Sequence, residues 1–135
     1  MIKKTVLFTT IALVMLVILS ACGGGGDSAA EPIGNASAGE ELFSQPLIGA
    51  QPGCATCHSL TPDQVLVGPS MAGIGSRAEN RVSGQSAEDY IRESILNPDA
   101  YVVDGFSAGV MVQVWQEELS DDQTDNLVAY LLTLK

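Results

Sequence analysis

The chain has 135 residues, six basic against sixteen acidic side chains, a formal net charge of −10 and three cysteines. That length allows one domain plus a short export segment. The acidic balance excludes a nucleic-acid binder and a protein that adheres directly to anionic lipid.

Met1-Ile2-Lys3-Lys4 precedes an apolar run from Val6 to Leu19 broken only by Thr9 and Thr10. A charged start and an apolar stretch of this length read as a secretory signal, shorter than the ~20 residues that span a bilayer. The run ends in Leu19-Ser20-Ala21-Cys22, which resembles the lipobox of bacterial lipoproteins. The resemblance implies cleavage after Ala21, so that residues 1–21 are a signal peptide and the Cys22 thiol receives a diacylglycerol. An uncleaved anchor is the alternative, and either outcome places the domain on a membrane outside the cytoplasm. Cleavage would remove Lys3 and Lys4, leaving four basic residues against sixteen carboxylates, or −12. Attachment would then rest on acyl chains, two of which suffice where one is marginal.

Residues 22–35, beginning with four glycines after Cys22 and continuing through Asp27-Ser28-Ala29-Ala30-Glu31-Pro32, are small, polar and aperiodic. They read as a flexible tether. Thirteen residues of this kind span roughly 20 Å on average and about 45 Å when stretched. The domain can swing above its membrane without leaving it.

Residues 36–135 should hold one small core, built of helices. The first helix begins near Ser37, with Gly39, Leu42 and Phe43 on one face and Glu40 and Glu41 in its first turn, where acids suit the helix dipole. Pro46, Gly49, Pro52 and Gly53 make Ser44 to Gly53 a loop. Ser86 and Asp89 are spaced as a capping pair for a helix to Leu96, which Pro98 terminates. Ser120-Asp121-Asp122-Gln123 is a capping box opening a last helix whose Leu127, Val128, Tyr130, Leu131 and Leu134 form the buried face. No alternating strand pattern and no repeat competes, so the fold class is all-α.

The chemistry sits between the first two helices. Cys54-Ala55-Thr56-Cys57-His58 is a C-x-x-C-H, and His58 is the only histidine. This spacing is the attachment site of a c-type haem: two thiols add to vinyl groups and the adjacent imidazole lies under the iron. A zinc site would need about four ligands, and no other Cys or His remains once Cys22 is lipidated. A thioredoxin-like pair would require a βαβ setting, for which there is no pattern.

Three further stretches resemble class I c-type cytochromes, and together they cover most of residues 36–135. Gly68-Pro69-Ser70-Met71-Ala72-Gly73-Ile74, with Arg77 beyond it, is similar to the segment whose proline carbonyl accepts the proton of the proximal imidazole. The resemblance implies that Pro69 fixes the tautomer of His58 and that Arg77 faces a haem propionate. Gly39 and Phe43 paired with Leu127, Tyr130 and Leu131 resemble the crossing of first and last helices. Asn97-Pro98, Tyr101-Val102-Val103 and Val110-Met111 resemble free bacterial cytochromes and the cytochrome domain fused to some haem–copper oxidase subunits. The implied fold is the class I cytochrome c fold, with terminal helices crossing and haem c in a loop-and-helix pocket.

In those relatives a methionine is the distal ligand, and only Met71 and Met111 remain after cleavage. Met71 lies two residues from Pro69, on the His58 side, and reads as core packing. Met111, far along a glycine-containing loop, is the candidate ligand. Relatives usually follow this methionine with proline; Val112 stands here, which implies a less rigid loop. Tyr101 is a candidate propionate partner or a packing residue. Trp115 reads as core more readily than as haem edge, and Arg81 and Arg92 as surface charges. Glu117, Glu118, Asp121, Asp122 and Asp125 read as helix-start and solvated charges, not as a catalytic pair.

The expected function is single-electron transfer by a lipid-anchored monohaem cytochrome, an electron carrier and not an enzyme. Expected partners are a quinol-oxidising complex or dehydrogenase as donor and a terminal oxidase or reaction centre as acceptor, each offering a basic docking patch. The alternative is a ligand-binding or peroxidase-like haem protein with an open distal position. A haem-free dithiol oxidoreductase is a third reading.

Overall fold

A computed structural model describes residues 33–135. The signal segment, Cys22 and nearly all of the expected tether lie outside the described residues.

The first helix, α1 (Ala36–Phe43), is started by Asn35, whose side chain accepts from the N–H groups of Ser37 and Ala38 at 3.0 and 3.1 Å. This cap sets the helix earlier than the sequence pattern suggested. Glu40 and Glu41 therefore fall outside the first turn, which holds no acid. The polar end is satisfied by the asparagine cap instead.

The loop after α1 also departs from the all-helical expectation. It contains a two-residue antiparallel hairpin, β1 (Leu47–Ile48) with β2 (Gln51–Pro52). The strands are too short for alternation to register in the sequence, yet Ile48 points into the core. Directly after the hairpin comes α2 (Cys54–Cys57), a single turn with His58 as its C-cap. A second single turn, α3 (Ile74–Arg77), runs into a 3-10 turn at Ala78–Asn80.

Helix α4 (Ala87–Leu96) is opened by Ser86, which accepts from Asp89 N–H at 3.1 Å and donates to its carboxylate at 2.6 Å. Pro98 then begins a 3-10 turn, Pro98–Ala100. A long connection leads to α5 (Trp115–Glu118) and to α6 (Asp121–Thr133). Both halves of the expected capping box form at the start of α6 between Ser120 and Gln123.

The core is organised by the crossing of α1 over α6. A methyl group on Gly39 would collide with the Asn126 carbonyl and the Tyr130 Cβ, so only glycine lets the two backbones approach this closely. Phe43 meets Tyr130 with ring centroids 5.6 Å apart and planes tilted by 56°. Leu127 and Val128 are the largest fully buried side chains, and α4 also packs against α6. Among the described residues no helix is long and apolar enough to cross a membrane. The helical frame leaves one side of α4 and α6 facing the loops 44–73 and 101–114, and the site lies there.

Candidate functional site

The C-x-x-C-H stretch is held open by backbone chemistry. His58 N–H returns to Cys54 O at 2.9 Å, closing the α2 turn, and Gly68 N–H donates to Cys57 O at 2.9 Å. These bonds put Cys54, Cys57 and His58 along one wall of a cavity of about 250 Å³. Both cysteines are free thiols, half-buried, with Cys54 pushed up to about 11 chiefly by burial. A protonated thiol at neutral pH suits addition across a vinyl group, which forms a C–S bond and transfers the S–H hydrogen to carbon without net redox change.

The His58 imidazole is locked at one nitrogen. Nδ1 lies 2.8 Å from Pro69 O, and a carbonyl can only accept, so Nδ1 carries the proton and Nε2 keeps a free lone pair. Burial holds the His58 pKa below its ordinary value, which favours the neutral ring a metal requires. Gly68 forms the cradle beneath it: a Cβ there would sit 2.5 Å from His58 Cε1 and 2.8 Å from Nδ1. The segment after Pro69 is pinned in turn. Met71 N–H donates to Ser59 O at 2.8 Å, Ser70 Oγ donates to Thr61 O at 2.7 Å, and the Arg77 guanidinium donates to the carbonyls of Ser70 and Ala72.

The other walls come from α4, α6 and the 101–114 connection. Every expected site residue within the described range lines the same cavity: Cys54, Cys57, His58, Pro69, Arg77, Tyr101 and Met111. Met71 lines it as well, so its packing reading is incomplete, although its backbone bond to Ser59 keeps it beside the His58 segment. Tyr101 stacks edge-on against Tyr90 at 5.8 Å and 75°. Trp115 is both core and wall, being 4 % exposed and cavity-lining.

One residue was misread. Arg81, expected at the surface, lines the cavity, and its Nε is buried with no hydrogen-bond partner. It neighbours Arg77, whose pKa is lowered by burial and then by the Arg81 charge. Among the described residues neither guanidinium has a carboxylate within salt-bridge distance. The four-residue spacing from Arg77, which places both on one side of a helical segment, was the signal available in the sequence. Arg92 behaves as expected, pairing with Asp125 at 2.6 Å and Glu88 at 3.3 Å on the surface.

These walls fit a haem: two thiols, a neutral imidazole, a thioether from the 101–114 connection, apolar side chains and two arginines without a carboxylate partner line one cavity. They do not fit the rivals. No group of three or more His, Cys, Asp or Glu among the described residues is placed to hold a metal ion. The C-x-x-C turn is flanked by a two-residue hairpin and loops, not by a βαβ unit.

No curated protein and no solved structure matches the chain. The family model described as Cytochrome c matches residues 36–135, which is the whole of the helical frame and the cavity. The chain therefore belongs to the cytochrome c family and carries a class I domain that binds haem c covalently, with Cys54, Cys57 and His58 fitting its C-x-x-C-H motif.

Proposed function

We propose that this protein is a lipid-anchored, six-coordinate electron carrier, with His58 below the iron and Met111 above it. Haem c supplies a one-electron ferrous–ferric couple, which methionine ligation and an apolar pocket move to higher potential. The rest falls to the chain's own groups. Pro69 fixes the imidazole and keeps it basic along the Nε2 direction. Arg77 and Arg81 face the propionate edge, with Arg81 Nε as the donor still free to bind. Tyr101 closes the same edge. His58 and Met111 would hold the iron between them, and a site closed by both would exchange electrons without forming a bond to a substrate.

Electron exchange needs a contact surface as well as a couple. Val67 and Val110 line the cavity and remain 55 % and 54 % exposed, so the mouth is rimmed by apolar side chains that a partner can cover. The strongly acidic chain complements a basic patch on that partner. A quinol-oxidising complex or dehydrogenase upstream and a terminal oxidase or reaction centre downstream have the matching chemistry. Cys22, acylated on a thirteen-residue tether, keeps the domain on the extracytoplasmic face of a membrane, near such complexes.

What supports this reading above all is that Met111 lines the same cavity as His58, though 53 positions separate them in the chain. The test is the weak far-red sulfur-to-iron band of the ferric holoprotein. It should be present in the native chain and absent from Met111→Ala, with a fall in midpoint potential. A high-spin native spectrum with fast carbon monoxide uptake would replace this reading with the ligand-binding one. Mass spectrometry of the membrane-extracted chain checks the anchor: a diacylglycerol at Cys22, lost in Cys22→Ser.

A further inference from the structure

The connection that carries Met111 packs on the core through Met111 and Val112 and is hydrogen-bonded to a single carboxylate. After a turn closed by Phe106 N–H to Val103 O at 3.0 Å, the chain runs from Ser107 to Gln113 without a regular element. Among the described residues, every hydrogen bond that leaves this stretch ends on Asp99. Gly109 N–H donates to its two oxygens at 2.9 and 3.1 Å, and Gln113 Nε2 donates to Oδ1 at 3.3 Å. The same Nε2 also donates to the Met111 carbonyl at 2.9 Å. The loop is thereby tied two residues before Met111, at Met111 itself and two residues after it.

The anchor point is itself firm. Asp99 sits in the 3-10 turn that follows α4, next to buried Pro98, and Ala100 N–H closes that turn on Asn97 O at 3.0 Å. Gly109 has a φ of +75°, a left-handed conformation that glycine adopts without strain and that turns its N–H toward the carboxylate. An ionised acceptor makes these bonds stronger than neutral ones. Val112, unlike a proline, fixes no backbone angle beside Met111, so side chains supply the constraint that the backbone lacks.

We infer that Asp99, bridged by Gln113, is a positioning device that keeps the Met111 thioether over the iron. The inference rests on the reading of Met111 as distal ligand. Side-chain bonds would then limit the looseness expected of a loop with valine after this methionine. Asp99 makes no hydrogen bond to the Met111 side chain and acts on it through the Gly109 backbone and the Gln113 amide.

Cyanide binding to the ferric holoprotein of the full chain measures how often the sixth position opens. Asp99→Ala should take up cyanide about tenfold faster than the native chain, and Gln113→Ala about threefold, as loss of one to three modest hydrogen bonds implies. Asp99→Asn keeps an acceptor for Gly109 N–H but presents an amide to Gln113, so it should fall between native and Asp99→Ala. The thermal midpoint is followed in parallel. A role confined to fold stability would lower the midpoint without changing cyanide uptake in the folded state. Faster uptake by Asp99→Ala with partial rescue by Asp99→Asn supports the clamp. Native uptake rates in both Asp99 variants, with the far-red band lost only in Met111→Ala, overturn the clamp and leave the ligand assignment standing. A far-red band that survives Met111→Ala overturns the assignment and the clamp with it. Should Asp99→Ala fail to fold, Gln113→Ala and Asp99→Asn carry the same comparison.

Discussion

The two walls of the haem cavity are built on different principles. On the imidazole side, residues 54–77 are laced together by backbone carbonyls: Cys54 and Cys57 receive His58 and Gly68, Ser59 receives Met71, and Pro69 receives the imidazole. Arg77 ties off the far end on Ser70 and Ala72. On the thioether side, Met111 and Val112 pack on the core, but among the described residues the hydrogen bonds leaving the stretch 107–113 all end on one side chain, the Asp99 carboxylate. A lattice of many short backbone bonds cannot be loosened at one point. A single side-chain clamp can. The imidazole side is therefore the more firmly tied half of the site, and on the proposed ligand assignment the thioether side is where coordination should give way first.

That contrast can be broken from the rigid side. Gly68→Ala places a methyl group 2.5 Å from His58 Cε1, and neither partner has room to retreat, because Gly68 N–H is bonded to Cys57 O and the ring to Pro69 O. The φ of Gly68 is not left-handed, so the effect comes from space and not from backbone preference. The expected outcome is a sharply lower yield of holoprotein in a haem-stained gel, and a holoprotein destabilised by about 1–3 kcal/mol in denaturant titration, as overpacking usually costs. A variant that matures with native yield and stability would show that the imidazole wall yields, and the contrast between the walls would fail.

How much of this was legible in the sequence follows the same division. The motif Cys54–His58, the Gly68-Pro69 pair and the capping box of α6 are local patterns in which neighbouring residues do one job, and each forms as expected. Asp99 and Gln113 act on a loop ten and two residues from their targets through bonds that no short pattern encodes. Arg81 was missed for a related reason. The four-residue spacing from Arg77 hints at a shared side, but only the packed structure reveals a buried Nε without a partner. The hairpin at residues 47–52 escaped because two-residue strands carry no period. The start of α1 at Ala36 follows from the Asn35 side chain, which caps the helix just before Ser37.

The Arg81 correction yields an effect of intermediate size. A cation near the propionate edge disfavours the extra positive charge of ferric iron and raises the midpoint potential. Arg81→Leu removes that charge while keeping an apolar wall, so the potential should fall by up to about 60 mV, the tenfold equivalent for a one-electron couple. Arg77→Leu should lower it too, but with loss of stability, because its guanidinium also holds Ser70 and Ala72. An unchanged potential in Arg81→Leu would remove Arg81 from the propionate edge and leave its buried Nε without a role.

The smallest effect belongs to a cation outside both walls. Arg92 joins α4 to α6 through Asp125 at 2.6 Å and reaches Glu88 one turn away at 3.3 Å, with side chains about a third exposed. Its pKa is raised, first by the hydrogen bond to Asp125, so the bridge holds at any physiological pH. Water and salt screen such a pair, and its loss is worth about 0.5–1 kcal/mol. Arg92→Ala should therefore lower the denaturation midpoint slightly, and less so in high salt, while the far-red band, the cyanide rate and the potential stay at native values. This outcome is what makes the Asp99 comparison interpretable. Asp99 and Arg92 are both surface charges on or beside α4, and they differ in whether their partner is a helix or the loop that bears Met111. If trimming Arg92 also accelerated cyanide uptake, opening of the sixth position would track overall stability, and the thioether wall would need no clamp of its own.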